Sequence, residues 1–600
     1  MKILSLLTAA AVSKQLLVAA APDPALMDVY TRGALLHDVQ LNRVFNDSKH
    51  FVDMPLKNTS SAAAIPQAYS SFLAQVGAKW GTMTQTERAA QLKVFLDQHF
   101  DEPGTDMVAV EPIDYKESTL PPAIAAIASP AFRDWALGLH KLWKVLGRVP
   151  QEHVVSSFLH TTTLPQLPRP QNMRVVPGGR FRESYYWDSY WIVQGLLVSN
   201  MKYTARSVVN NLLEYVAEYG FVPNGGRIYY LTRSQPPLLA DMVRVVAEAG
   251  KPESGNGAVD LGYLRVALPI LEKEYKYWMQ EGPSSHIVKV QANGGPFNWS
   301  GKREYTLNRY VATVGELRPE SYREDFSDAE RAFGNATNMN SDELKKNFFN
   351  EIIAAAESGW DFSSRWFRDG TQLTTIDTSN VVPVELNVIL YRVERNLAHF
   401  HKLLGNAAAA KVYAKAADAR ADAVQAVFWH AESLSWRDYL LDSKSLSPAV
   451  SASNYSPLWA PDLVQSLLVA EAAVTSLRRS GLLQPGGIQT TTTVTGQQWD
   501  APNAWPPVQD MVIEGLLSLK SSLQAQLLAR DLMRTCVRAS YVGWKHTGQM
   551  FEKHNATVLG GIGMGGEYTP QVGFGWTNGV ILKYLSKYEP LLKGIDAPVV

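Results

Sequence analysis

PGGRFRESYYWDSYW, residues 177–191, concentrates two arginines, a glutamate, an aspartate and six aromatic rings behind a pair of glycines. Arginine and carboxylate side chains hydrogen-bond hydroxyls in fixed forks. Tyrosine and tryptophan add a broad apolar face with a polar tip. A ligand carrying hydroxyls on its rim and C–H groups on its faces suits both, and a sugar has that character. The same residues also suit a buried ion-pair network beneath a packed aromatic helix. The surrounding sequence has to separate the two.

Outward from this stretch, helical periodicity dominates. Apolar residues recur at intervals of three and four over 67–96, 131–146, 205–219, 261–280, 384–403, 407–429, 461–480, 513–538 and 577–588. Gly220, Gly405 and Gly481 read as helix stops. Strand-like alternation is confined to 287–290 and 489–494. Between the helices lie loops rich in Pro, Gly, Trp and charge, at 163–190, 221–237, 293–325, 357–371, 497–509 and 541–576. Connectors in a helical bundle ordinarily run about 2–8 residues. Loops this long imply a helical scaffold with a site at one end.

Two acidic positions stand out in those loops. In ESGWDFSSRWFRDG, Asp361 follows Gly359 and Trp360, with Arg365 four residues on. Packing against an indole raises a carboxyl pKa, as a general acid at neutral pH requires, whereas a nearby guanidinium lowers it. An i,i+4 Asp–Arg pair on a helix is the plainer reading. In QMFEKHNATVLGGIGMGGEYTPQVGFGWTNG, Glu552 and Glu567 flank a glycine run that lets backbone approach a ligand. Glu552 has Lys553 and His554 beside it as alternative partners. Further loops contribute Asn224, Arg227, Arg233 and Gln235; Arg318 and Glu320; and Gln498, Trp499, Asp500 and Trp505.

Composition narrows the function classes. Lys plus Arg equals Asp plus Glu at 57 each, so no overall field favours nucleic acid or an anionic membrane. Cys536 is the only cysteine, which rules out an internal disulfide and multi-cysteine metal sites and suggests a buried, inert thiol. No Walker lysine follows the glycine run. HExxH and GxSxG are also absent, and His399 and His401 point to different sides of a helix, so no metal is expected.

At these motifs the chain resembles the trehalases, an inverting glycoside hydrolase family. PGGRFRESYYWDSY at 177–190 and QWDAPNAWPP at 498–507 match the two family signatures, with PNGGR, RPESYRED, ESGWDFSSRW and GFGWTNG in the family's order. The resemblance spans roughly residues 30–590. It implies an all-α fold, an (α/α)6 toroid of six helical hairpins with the pocket in the loops at one end. It also implies hydrolysis of α,α-trehalose to two glucose molecules, with water as co-substrate and no cofactor. By motif, Asp361 corresponds to the general acid and Glu552 to the general base. Arg180, Trp187, Asp188, Asn224, Arg233, Arg318 and Glu320 correspond to residues holding the two rings. Phe181, Tyr185, Gln235, Gly359, Gln498, Trp499, Asp500, Glu567 and Trp576 fall in the same pocket motifs. One departure is the glycine run, GGIGMGGEY where the family has GGGGEY, with Ile562 and Met564 interposed.

The competing expectations are an inverting glycosidase for another α-glucoside on the same toroid, and a non-catalytic sugar sensor. Residues 1–21, with Lys2 before an apolar run and small residues at 19–22, read as a signal peptide. A helical arm over 22–165 and a toroid over 166–592 follow. Sequons at Asn46, Asn58, Asn298, Asn335, Asn454 and Asn555 fit secretion; retention of residues 1–21 would fit the cytoplasm instead. No later apolar run reaches about 18 residues, so no membrane span is expected.

Overall fold

The computed structural model describes residues 23–167, 172–250, 258–282, 285–291, 304–334, 341–460 and 462–595. The leader at 1–21 and the sequons at Asn298 and Asn335 lie outside the described residues.

Twelve helical elements form two concentric rings. The outer ring holds α1 (Pro130–Leu146), α3 (Lys202–Tyr219), α5 (Leu261–Met279), α7 (Ala407–Phe428), α8 (Leu467–Arg479) and α10 (Leu523–Thr547). The inner ring holds α2 (Asp188–Val198), α4 (Leu239–Glu248), α6 (Val384–Leu403), a 3-10 helix (Ala452–Trp459), α9 (Pro506–Ser518) and α11 (Gly575–Lys587). Each inner element packs on the next in that order, and α11 packs back on α2, closing the circle. This is the (α/α)6 toroid. One continuous apolar core runs from Val29 to Ile595. Cys536 lies within it, its thiol pushed up to about 12 by burial.

Chain direction explains where a site can form. Outer helices lead into inner ones through the long stretches 147–187, 220–238, 280–383, 429–451, 480–505 and 548–574, while the return links are short. Every inner element therefore starts at the long-loop end. Positive helix N-termini converge there, favouring carboxylates. The two kinds of start also differ chemically. Ser129, Asp260, Asn406, Ser466 and Ser522 cap outer helices with their own side chains. The starts of α2, α4 and α6 lack such caps and are met by distant groups instead. Gln235 Oε1 accepts from Trp187 N at 3.1 Å, Tyr186 Oη from Leu239 N at 3.0 Å, and Asp438 Oδ1 from Val384 N at 2.9 Å.

Several expected boundaries shift. The segment 67–96 breaks at Gly77, and a Thr84–Glu87 capping box starts a new helix, Gln85–His99. The 513–538 segment is split between α9 and α10, with Ser522 capping the latter. Ile287–Gln291 pairs with Glu304–Asn308 as a hairpin. Residues 489–494 form no extended strand, only a single antiparallel bridge from Thr491 to Ser451, while the Thr491 hydroxyl donates to Asp500 Oδ1 at 2.9 Å. Helix α1, counted with the arm at sequence level, packs on α11 and belongs to the outer ring.

The rest of the arm is joined to the toroid through buried charge. Lys49 Nζ lies 2.6 Å from Asp53 and 2.7 Å from Glu183. Arg227 Nη1 bonds Asp106 at 2.8 Å, and Tyr185 Oη donates to Glu183 at 2.7 Å. Among the described residues no helix is long and apolar enough to cross a membrane.

Candidate active site

At the long-loop end lies a cavity walled by charged side chains and aromatic rings. Asp361 and Glu552 both line it, brought together from loops almost two hundred residues apart. So do Arg180, Phe181, Tyr185, Trp187, Asp188, Asn224, Arg233, Gln235, Arg318, Glu320, Gly359, Gln498, Trp499, Glu567 and Trp576. The motif residues are neither a surface turn nor a purely internal ion network.

Asp361 sits in an irregular segment, not on a helix. Burial pushes its carboxyl up to about 7, against the pull of the Arg318 charge and with a push from Glu567. Arg365 does not pair with it. That guanidinium is turned away, bonded to Asp438 at 2.6 Å and to Glu385, and lies 4.4 Å over the Trp366 ring. Burial therefore prevails, and the i,i+4 ion pair does not form.

Glu552 is oriented from two sides. Its Oε1 accepts from Tyr568 Oη at 2.8 Å and its Oε2 from Gln571 N at 3.0 Å. Burial raises its pKa, while Lys553, these hydrogen bonds and Arg180 oppose the rise. It does not bond Lys553 or His554 as its nearest neighbours in sequence. Lys553 Nζ donates to Gln498 and Gly565, and His554 is a buried imidazole held down to about 4. Asp188 completes a cluster of acids. Burial, then the charges of Glu552 and Asp361, raise its pKa well above the carboxylate range.

The arginines are pre-set by carboxylates. Arg233 donates to Asn224 Oδ1 at 2.7 Å and Glu320 Oε1 at 2.6 Å, leaving its Nη1 and Glu320 Oε2 without hydrogen-bond partners among the described residues. Arg318 bonds Asp325 and Glu567, each at 2.6 Å. Arg180 forms a two-pronged pair with Asp47 of the arm at 2.7 and 2.6 Å, and its guanidinium lies 4.7 Å over Tyr568. Rings complete the wall. Trp499 stacks on Trp505 at 4.0 Å and on Trp360 at 5.2 Å, and Trp576 meets Trp187 edge-on. Gly359 adopts φ +75°, and a Cβ there would come within 2.8 Å of Trp187.

Asp500 is a correction. Expected among the pocket residues, it is fully buried behind them. Its oxygens accept from Ser363 Oγ at 2.9 Å, Ser364 N at 2.8 Å and Ser364 Oγ at 2.8 Å, as well as from Thr491 and Thr495. With every lone pair engaged, it pins the segment carrying Asp361 and has none for a ligand. Trp505, read from its loop, lines the cavity too, and Tyr230, Ser321, Tyr568 and Phe574 do so beyond the expected set. Ile562 and Met564 are exposed, at 41% and 52%, so the departure in the glycine run lies outside the cavity. Among the described residues no group of three or more His, Cys, Asp or Glu is placed to hold a metal.

Two shielded acids in a ring-walled cavity at the loop end of an (α/α)6 toroid define a glycoside hydrolase of the helical-toroid class. The Trehalase family model matches residues 43–589, and the chain belongs to the trehalase family. A trehalase of Dictyostelium discoideum is 39% identical over 572 residues, covering 93% of this chain and 90% of its own. A trehalase of Oryctolagus cuniculus is 38% identical over 574 residues, covering 95% and 91%. Among solved structures, the neutral trehalase of Saccharomyces cerevisiae superposes with a TM-score of 0.56 at 24% identity, covering 71% of this chain and 75% of that one.

Proposed function

We propose that the protein hydrolyses α,α-trehalose to two glucose molecules with inversion at one anomeric carbon, Asp361 serving as the acid and Glu552 as the base. The carrying observation is that both side chains line one cavity while their surroundings set them to opposite tasks. Burial keeps the Asp361 proton available near neutral pH. Tyr568 and Gln571 aim the Glu552 carboxylate, with Lys553 and Arg180 favouring its charged form.

In the reaction, Asp361 gives its proton to the glycosidic oxygen as the bond to the anomeric carbon breaks. A water oxygen bonds that carbon from the opposite face and loses its proton to Glu552. Both carboxyls then return to their starting states by exchange with solvent. Such displacement needs the two groups about 6.5–9.5 Å apart to admit the water. Arginines are not proton donors at neutral pH. Arg180, Arg233 and Arg318, held by their carboxylate partners, orient hydroxyls, while the indoles cover the ring faces and exclude bulk water. Purified protein offered trehalose, maltose and cellobiose tests the reading. Glucose release from trehalose supports it, and release from another glucoside instead overturns it.

We further propose that residues 1–21 form a cleaved leader and that the protein is exported, with the arm from residue 22 and the toroid to about 592 acting as one catalytic unit. Asn46 and Asn58 are exposed acceptors compatible with glycosylation, whereas Asn454 and Asn555 are buried. N-terminal sequencing of native protein and a mobility shift on deglycosylation test this; an intact residue 1 contradicts it.

A further inference from the structure

We propose that Lys553 is a positioning residue whose ammonium fastens the glycine-rich loop to the segment that carries Asp361. The inference rests on the acid–base assignment above and adds a residue to it. Lys553 is completely buried, unusual for a lysine, and does not line the cavity. Its Nζ donates to Gln498 Oε1 at 2.8 Å and to the Gly565 carbonyl at 3.1 Å. Gln498 in turn donates through Nε2 to the Asp361 carbonyl oxygen at 2.5 Å. A three-link relay thus joins Gly565, two residues before pocket-lining Glu567, to the backbone of the acid itself.

The loop is shaped around this lysine. A Cβ at Gly563 would fall 2.6 Å from Lys553 Cγ, so only a glycine lets the loop cross the stem without displacing it. The ammonium also lies over two rings, 5.1 Å from the centroid of Trp505 and 5.7 Å from that of Tyr568, and Tyr568 is the residue that holds Glu552.

Charge adds a second consequence. The titratable groups that act on Lys553 are Glu552 and Asp361, with the Tyr568 ring against it. Burial pulls its pKa down to about 8, and both carboxylates oppose the fall. Reciprocally, the ammonium is the leading charge that keeps Glu552 ionised. A side chain that served only as packing would hold the loop without influencing that ionisation.

The test compares wild type with Lys553→Met, Lys553→Arg and Gln498→Leu on trehalose across pH. Lys553→Met is expected to lower kcat roughly 10–100-fold, as for a displaced catalytic group, and to move the acid limb of kcat/KM upward by about one pH unit. Lys553→Arg, which keeps the charge, should leave the acid limb in place. Gln498→Leu should lower kcat without moving the limb, since the ammonium stays. A folded Lys553→Met with wild-type kcat and an unmoved limb overturns the proposal. Should that variant not fold, Gln498→Leu with wild-type kcat overturns the relay. A wild type that releases no glucose from trehalose would fell the acid–base reading, whereas unchanged variants beside an active wild type remove only the role of Lys553.

Discussion

Arg318 Nη2 stands 2.6 Å from Glu567 Oε1, joining the RPESYRED loop to the end of the glycine-rich loop, 249 residues away in sequence. The same guanidinium holds Asp325 and lowers the pKa of Asp361. It therefore sets both the closure of the cavity and the strength of the acid. Arg318→Met is expected to raise the Asp361 pKa further and shift the alkaline limb of kcat/KM upward. It should also cut kcat/KM roughly 10²–10³-fold through loss of a preorganised cation. A pH profile of the folded variant reads both effects.

Wild-type activity is expected to follow a bell. Asp361 must be protonated to act, so activity falls as pH rises through about 7. Glu552 must be ionised, and because burial raises its pKa, the acid limb lies above the ordinary carboxylate range. An alkaline limb that persists unmoved in Asp361→Glu would remove Asp361 from that titration.

Asp361→Asn and Glu552→Gln each keep shape and volume while removing a proton-transfer group. Both variants are expected to bind trehalose and to lose roughly 10²–10⁴-fold in kcat, the scale of general acid–base catalysis. Calorimetric titration beside single-turnover kinetics separates binding from chemistry. Near wild-type turnover in either folded variant contradicts its role.

Asp47 lies far from the pocket motifs in sequence, yet its carboxylate fixes Arg180 in the wall. Ser48 donates to Glu324 at 2.6 Å, and Arg323 grips the Phe45 and Asn46 carbonyls, so this arm loop is tied to the site from both sides. Asp47→Asn is expected to raise KM roughly tenfold with little change in kcat, from loss of one charge-assisted bond worth about 1.5–3 kcal/mol. Steady-state kinetics on trehalose decides it.

The pocket was more legible than the scaffold that presents it. The motif loops named Arg180, Trp187, Arg233, Arg318, Asp361 and Glu552, and all six line one cavity, because residue types chosen for hydrogen-bonding hydroxyls stay conspicuous wherever they sit. Outer helices were legible through their apolar periodicity and stops such as Gly220 and Gly481, but the Ser522 cap that starts α10 was hidden inside the apolar run 513–538. Inner α2 was not, since Ser189, Tyr190, Trp191, Ile192 and Val193 are buried in succession and leave no polar face to set a period. Asp47 and Tyr230 gave no local signal, as each gains its place only when distant segments meet. Asp500 misled for the opposite reason. It stands inside a pocket signature, but a carboxylate surrounded by serine and threonine hydroxyls is satisfied before any ligand arrives.

The single-displacement account is tested most directly by proton NMR of the first glucose released from trehalose, recorded before mutarotation. Attack by a Glu552-activated water yields one α-glucose and one β-glucose per molecule cleaved. Two α-glucose molecules would require retention through a covalent intermediate and would contradict the assignment of Asp361 and Glu552.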